Sequence, residues 1–197
     1  MNVALTNAIG SQWVHEVGTV TAPSENAKVV NDIGTTSGRQ VIVVNGAHAE
    51  VIIVHKVAYI KGDSKAVVNY FQLTKTDPAK YANKWLSITS SNTGYANVSQ
   101  SVTLKSDFDT WKIPGTLSEG KKTTVNGKSV IPITGKVTMT ASAPAVSVTL
   151  YVTASGKTLP VEIVLKSTTE NETVKWSKWG SPVSLAAPSK FTPIAKA

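Results

Sequence analysis

The chain is predicted to be an α+β protein built on an antiparallel sheet, and three observations lead there. Strand-like alternation occupies both ends of the chain, while helical spacing is confined to the middle. Asn45-Gly46 and Asn126-Gly127 each lie between strand-like runs, and an Asn-Gly pair supplies the positive φ angles of a type I′ hairpin turn. The third observation is the stretch 146–166. Val146, Val148, Leu150 and Val152 share one parity there, and Ser147, Thr149, Tyr151 and Thr153 share the other. After a turn at Gly156, Val161, Ile163 and Leu165 alternate with Glu162 and Lys166. Such alternation gives a hairpin with one core face and one wet face.

Taken in order, residues 2–9 suit a short helix leading into a strand at 12–21. Strands at 27–35 and 39–44 follow, separated by Thr36-Ser37-Gly38. Beyond the Asn45-Gly46 turn, residues 50–61 read as the partner strand. Its centre, Val51-Ile52-Ile53-Val54, is apolar at both parities, which suits a strand covered on both sides. Asp63-Ser64 can cap a helix running to Leu73, with Val67, Tyr70 and Phe71 at helical spacing. Asp77-Pro78 is a second start signal, an acidic N-cap followed by proline at the first helical position. Tyr81 and Trp85 follow it at i, i+4.

A third helix is expected over 94–112. On it Leu104, Phe108 and Trp111 fall on one arc, and Tyr95, Val98 and Val102 on another. Two apolar arcs imply contact on two sides, with either a sheet and a ligand or a sheet and a neighbouring helix. Residues 115–122 read as a loop, the Asn126-Gly127 turn joins strands at 122–125 and 129–134, and a strand at 135–141 leads into the 146–166 hairpin. The single domain spans 1–197, with 186–197, which carries Pro188 and Pro193, trailing over the surface.

The composition narrows the function classes. With 197 residues, 41% of them hydrophobic, the chain can bury a sizeable core. Net charge is +8, but the lysines are scattered and Arg39 is the sole arginine. Base readout and phosphate clamping favour arginine, so no nucleic-acid partner is expected; the charge reads first as a solvated basic surface, and an anionic membrane surface is also compatible with it. There is no cysteine, which excludes disulfides and thiolate chemistry. Residues 1–10 have neither a basic n-region nor an apolar core and do not read as a signal peptide. An exported protein would begin here after cleavage.

Catalytic and metal constellations are weak. His48 and Glu50 share a strand parity that His55 does not, and two ligands do not make a zinc site. Gly62-Asp63-Ser64 resembles part of a nucleophile elbow but lacks the closing glycine, and Ser64 serves equally as a cap. Ser118-Glu119-Gly120-Lys121 matches Ser-x-x-Lys without its companion motifs. Asp107 and Asp109, two apart on a helix, diverge, and solvent is expected around them. Neither an enzyme nor a cofactor is expected. Of Trp13, Trp85, Trp111, Trp176 and Trp179, Trp179 is expected to pack in the core. Trp85 and Trp111 could equally face a ligand.

The order of pieces resembles the LolA-like fold of the LppX/LprG-type actinobacterial lipoproteins. The matching residues are Val57-Ala58-Tyr59-Ile60-Lys61-Gly62, the Trp85 segment, Val125-Asn126-Gly127-Lys128, Leu150-Tyr151-Val152, Leu159-Pro160-Val161, and Trp179-Gly180 through Pro188. The resemblance implies a strongly curved antiparallel half-barrel whose concave face is closed by helices. It also implies a non-enzymatic role: binding and transport of lipids or lipidated hydrophobic molecules in the cell envelope, by an extracytoplasmic protein. Many members are tethered through a lipid-modified cysteine, which this chain lacks. A dry cavity binds an acyl chain without polar code. The candidate lining is Tyr70, Phe71, Trp85, Leu104, Phe108 and Trp111 from the helices, with Val41, Val43, Ile53 and Val57 from the strands. Strand parity is ambiguous there. A monomer holding one lipid or acylated ligand is expected. The alternative is a closed-cavity module of the same fold that binds an envelope polymer or protein through its basic surface.

Overall fold

A computed structural model of the chain describes residues 1–72, 78–138 and 145–194. Helix α1 (Asn2–Ile9) turns Ala4, Leu5 and Ala8 into the core. The chain then runs through β1 (Trp13–Ala22), β2 (Glu25–Gly34), β3 (Gly38–Val44), β4 (Ala47–Val54) and β5 (Val57–Gly62) as an antiparallel meander. Helix α2 (Ser64–Asn69) is started by Asp63, whose carboxylate accepts the Ala66 N–H at 2.8 Å. A 3₁₀ turn at Pro78–Lys80 and strand β6 (Leu86–Thr89) precede α3 (Tyr95–Ser99) and α4 (Leu104–Thr110). The last third supplies β7 (Ser118–Glu119), β8 (Thr123–Val125), β9 (Lys128–Val137), β10 (Val146–Thr153), β11 (Pro160–Lys166), β12 (Asn171–Ser177) and β13 (Thr192–Pro193).

All of these strands join one open, curved, 13-stranded sheet in the order β13-β6-β5-β4-β3-β2-β1-β12-β11-β10-β9-β7, with β8 paired to β9. Each pairing is antiparallel except β13 with β6. The two halves of the chain meet where β1 pairs with β12, with Glu16 opposite Trp176. The helices lie on one face of the sheet, called here the inner face. Ala66 of α2 packs with Ile42, Ala47 and Ala49. Tyr95 and Val98 of α3 pack on Val51, Ile53, Ala58, Ile60, Leu86 and Ile88. Leu104 and Phe108 of α4, with α1, cover Val14, Ile33, Leu150, Ile163, Val174 and Trp176.

Several local expectations change. The strand expected over 50–61 is two strands joined at His55 and Lys56, with φ of 52° and 61°. Positive φ is uncommon for such residues, so nothing in the sequence announces the turn. Asn45-Gly46 and Asn126-Gly127 do take the expected left-handed conformations. The helix expected over 94–112 is two short helices. The chain leaves α3 at Gln100, Ser101 takes φ 62°, and Val102 is fully buried. Thr103 and Ser106 then form a capping box that restarts the helix. Gly38 makes this break possible, because a Cβ there would sit 2.0 Å from the Val102 carbonyl oxygen. The first middle helix ends at Asn69, and only the 3₁₀ turn follows Asp77-Pro78. Leu73 and Asp77 lie outside the described residues, as do 139–141 of the strand expected over 135–141.

Residues 186–194 are largely exposed, yet they are held. Thr192 and Ile194 donate to the Trp85 and Ser87 carbonyls, both at 2.9 Å. Phe191 stacks edge-on against Tyr59 with ring centroids 5.1 Å apart.

Candidate functional site

Side-chain parity puts a polar row across an otherwise apolar inner face. On β1 the inward residues are Val14, Glu16 and Gly18; on β2 they are Val29, Asn31 and Ile33; on β12, Glu172, Val174 and Trp176. Strand register aligns Trp176, Glu16, Asn31 and Gln40 as successive cross-strand neighbours. Glu16 is held from both sides. Its Oε1 accepts from Asn31 Nδ2 at 2.7 Å, and its Oε2 accepts from the indole Nε1 of Trp176 at 2.8 Å. Tyr70, just past α2, donates its hydroxyl to Gln40 Oε1 at 3.3 Å.

Helix α4 brings Asp107 down beside Glu16, and Trp111 follows one turn later. Asp107 is 2% exposed and Glu16 is 4% exposed, so neither carboxyl is solvated by bulk water. Burial raises Glu16 above the usual carboxylate range, opposed by its hydrogen bonds to Trp176 and other neighbours. Burial raises Asp107 well above that range, and the charge of Glu16 beside it pushes the same way. Two buried carboxyls this close do not ionise together cheaply. Glu172, farther along β12, is pushed up to about 7 by burial and then by Glu170, Glu16 and Glu25.

Between these groups and the helices lies a cavity of about 270 Å³. Its polar walls include Glu16, Asn31, Gln40, Asp107, Trp111 and Glu172, and its apolar walls include Val20, Val29, Ile42 and Val174. A second cavity of about 460 Å³ lies between α3 and β5–β6, lined by Ile60, Ile88, Phe71, Val98 and Ile194 with Asn92 and Thr93. Tyr70 and Asn97 line both cavities, so the two adjoin. Three buried polar atoms on the walls of the first cavity have no hydrogen-bond partner: Asn31 Oδ1, Asp107 Oδ2 and Trp111 Nε1. Buried polar groups are nearly always paired.

The ten candidate residues fall into three places. Tyr70, Phe71 and Trp111 line these cavities. Ile53, Leu104 and Phe108 are fully buried in the hydrophobic core and line neither. Val41, Val43 and Val57 point to the outer face, a correction of the expected parity; so does Trp85, which lies on no helix but directly before β6. Gln40 and Ile42 take the inner positions of β3, and Ala58 and Ile60 those of β5. In an unbroken Val-Ile-Val-Val run, hydrophobicity does not choose a face; pairing with Asn31 and Val29 does. Trp85 instead lies under the Lys61 ammonium, 5.8 Å from its ring centroid.

The other chemical candidates separate. Ser64 is the first residue of α2 behind the Asp63 cap. His48 is exposed on the outer parity of β4, while His55 sits in the β4–β5 turn. Asp109 is held low, at about 2, by Lys105 and Lys112, whereas Asp107 is buried rather than solvated. Among the described residues no three His, Cys, Asp or Glu side chains converge as metal ligands. No helix there is long and apolar enough to cross a membrane.

Sequence reasoning passed over Glu16, Asn31, Gln40 and Glu172, and read Asp107 as solvated. A signal was present in each acid. Glu16 shares the parity of Val14, and Glu172 shares that of Val174 and Trp176. Asp107 lies on the helical arc of Leu104, Phe108 and Trp111. An acid on a core parity is the mark of a buried polar group.

No protein-family model matches the chain, and no curated protein matches it in sequence. Solved structures do. The lipoprotein LppX of Mycobacterium tuberculosis superposes with a TM-score of 0.61 at 15% identity, covering 94% of this chain and 95% of that one. LprF of Mycobacterium bovis superposes with a TM-score of 0.57 at 15% identity, covering 96% of this chain and 95% of that one. At this identity the likeness is one of fold, and it extends over nearly the whole length of all three proteins.

Proposed function

We propose that the protein binds a lipid or acylated hydrophobic ligand between its sheet and its helices, and carries it outside the cytoplasm as part of the cell envelope. The observation that carries this reading is the pair of adjoining cavities on the inner face of a fold shared with the lipoprotein LppX. The chain acts as one binding unit rather than an enzyme, with one sheet spanning both cavities. Tyr70 and Phe71 from the end of α2, Val98 from α3 and Ile60 and Ile88 from the sheet supply the acyl-facing surface. A chain of eight methylenes moved there from water gains on the order of 6 kcal/mol before the cost of association. Association costs a comparable amount, so retention through purification calls for a chain longer than eight methylenes.

Native mass spectrometry of gently purified protein, followed by titration with a fluorescent fatty acid, tests the reading. The expected result is one acyl chain per protein, retained at high salt and reduced by Val98→Trp, which fills the larger cavity. Absence of uptake by the wild-type protein overturns it. Salt-sensitive binding to envelope polymer in place of lipid uptake would instead support the closed-cavity module, using the net charge of +8.

A further inference from the structure

The polar row poses a problem that acyl-chain binding alone does not answer. A dry site for hydrocarbon has no use for carboxyl groups, and burying them is costly. Here Glu16 and Asp107 are almost wholly buried, and Glu172 lines the same cavity. The chain carries 20 lysines and arginines against 12 acids, yet no lysine, arginine or histidine is among the described residues lining this cavity. The protein thus concentrates negative and acceptor groups along one cavity and keeps its own cations off the walls.

The unpaired atoms point the same way. Asn31 spends its amide N–H on Glu16, leaving its carbonyl Oδ1 without a donor. Asp107 Oδ2 also lacks one. Both belong to residues less than one-tenth exposed that line the cavity. Two acceptors with no donor, beside the single unpaired N–H of Trp111, form a receptor for a compact group bearing several N–H donors and a positive charge. An ammonium has three such donors. The neighbouring Val20, Val29, Ile42 and Val174 leave room for methylenes attached to it.

We propose that this cavity is a binding site for the protonated amine head of an amphiphile, with Asp107 and Glu16 as its counter-charges and Asn31 Oδ1 as an added acceptor. The site deepens the lipid-binding reading by assigning the ligand's head group; the tail would run past Tyr70 and Asn97 into the larger cavity. An ammonium between the two carboxyls lets both ionise. Binding therefore releases a proton from the Glu16–Asp107 pair. The other titratable groups facing it are Glu172 on β12 and the Tyr70 hydroxyl, with His15 acting on Glu16 from the opposite parity of β1.

The test is calorimetric titration of the full chain with n-octylamine, octanoate and 1-octanol, in two buffers of different ionisation enthalpy. The expected result is octylamine bound at least tenfold more tightly than the other two, with proton release seen only for octylamine. Asp107→Asn should weaken octylamine on the order of tenfold, the scale of a charge-assisted hydrogen bond, and leave octanol unchanged. Glu172→Gln, at the half-buried edge, serves as a second variant if Asp107→Asn perturbs folding, and should weaken octylamine severalfold. Equal affinity for all three probes overturns the amine site while leaving acyl-chain binding intact. Tighter binding of octanoate overturns it as well. Octylamine bound without any fatty acid uptake would preserve the amine site and remove the lipid reading. No binding of any probe removes both.

Discussion

Two stretches of the inner face, one toward the β6 end of the sheet and one at its centre, solve the same problem in opposite ways. Under α3, strands β4–β6 offer Val51, Ile53, Ala58, Ile60, Leu86 and Ile88, an aliphatic surface with no side-chain polar atom. Under α4, strands β12, β1, β2 and β3 offer Trp176, Glu16, Asn31 and Gln40 in a single cross-strand row. Both are covered by a short helix, and both leave space beneath it. The aliphatic end owes its stability to the area it hides from water and is indifferent to pH. The polar end depends on each hydrogen bond being made, because a buried group left unpaired costs more than the bond itself contributes. One sheet therefore presents a surface suited to hydrocarbon beside one suited to a polar head.

That contrast can be broken from either side. The largest effect is expected at the aliphatic end. Ile60→Ala removes a side chain that is 1% exposed and should cost about 2–5 kcal/mol in denaturant unfolding, the same at pH 5 and pH 8. A pH-dependent loss there would mean the two ends are coupled. At the polar end, Asn31→Ala takes away the donor to Glu16 Oε1 and should cost about 1–3 kcal/mol. Because an unpaired carboxylate is worse than an unpaired carboxylic acid, this loss should be greater at pH 8 than at pH 5. Equal losses at both pH values would show that Glu16 does not depend on its amide partner.

The smallest effect concerns Glu172. Burial and the neighbouring acids push it up to about 7, from about 4.5 for an ordinary glutamate, so the folded state prefers the protonated acid. Native stability should then fall as pH rises from about 4.5 through 7, and change little outside that window from this group. Glu172→Gln removes the slope. It should match the wild type near pH 4 and exceed it by roughly 1 kcal/mol at pH 8, a figure discounted because Glu172 is only partly buried. Parallel stability curves for the two proteins across that range would refute the assignment.

The hydrophobic core was more legible than the polar row. Alternation in 146–166 placed Val148, Leu150, Val152, Val161 and Ile163 in the core, and the two Asn-Gly pairs marked their hairpins. The turn at His55-Lys56 carried no glycine or asparagine to announce it. The break between α3 and α4 was hidden because Leu104, Phe108 and Trp111 keep helical spacing whether or not a helix precedes them. Parity in Val41-Ile42-Val43-Val44 stayed undecided, since apolar residues at both positions give hydrophobicity nothing to choose between.

Local chemistry is enough to specify an antiparallel sheet around a helical middle, because alternation, turn residues and caps act within a few positions of one another. The register that lines Glu16 up with Asn31 and Trp176 is not local: Glu16 and Trp176 are 160 positions apart. Which face each strand turns inward, and whether an acid there meets a partner or a cavity, depends on pairings between the two ends of the chain. Those pairings form only when β1 closes against β12, so the polar row exists in the folded protein alone.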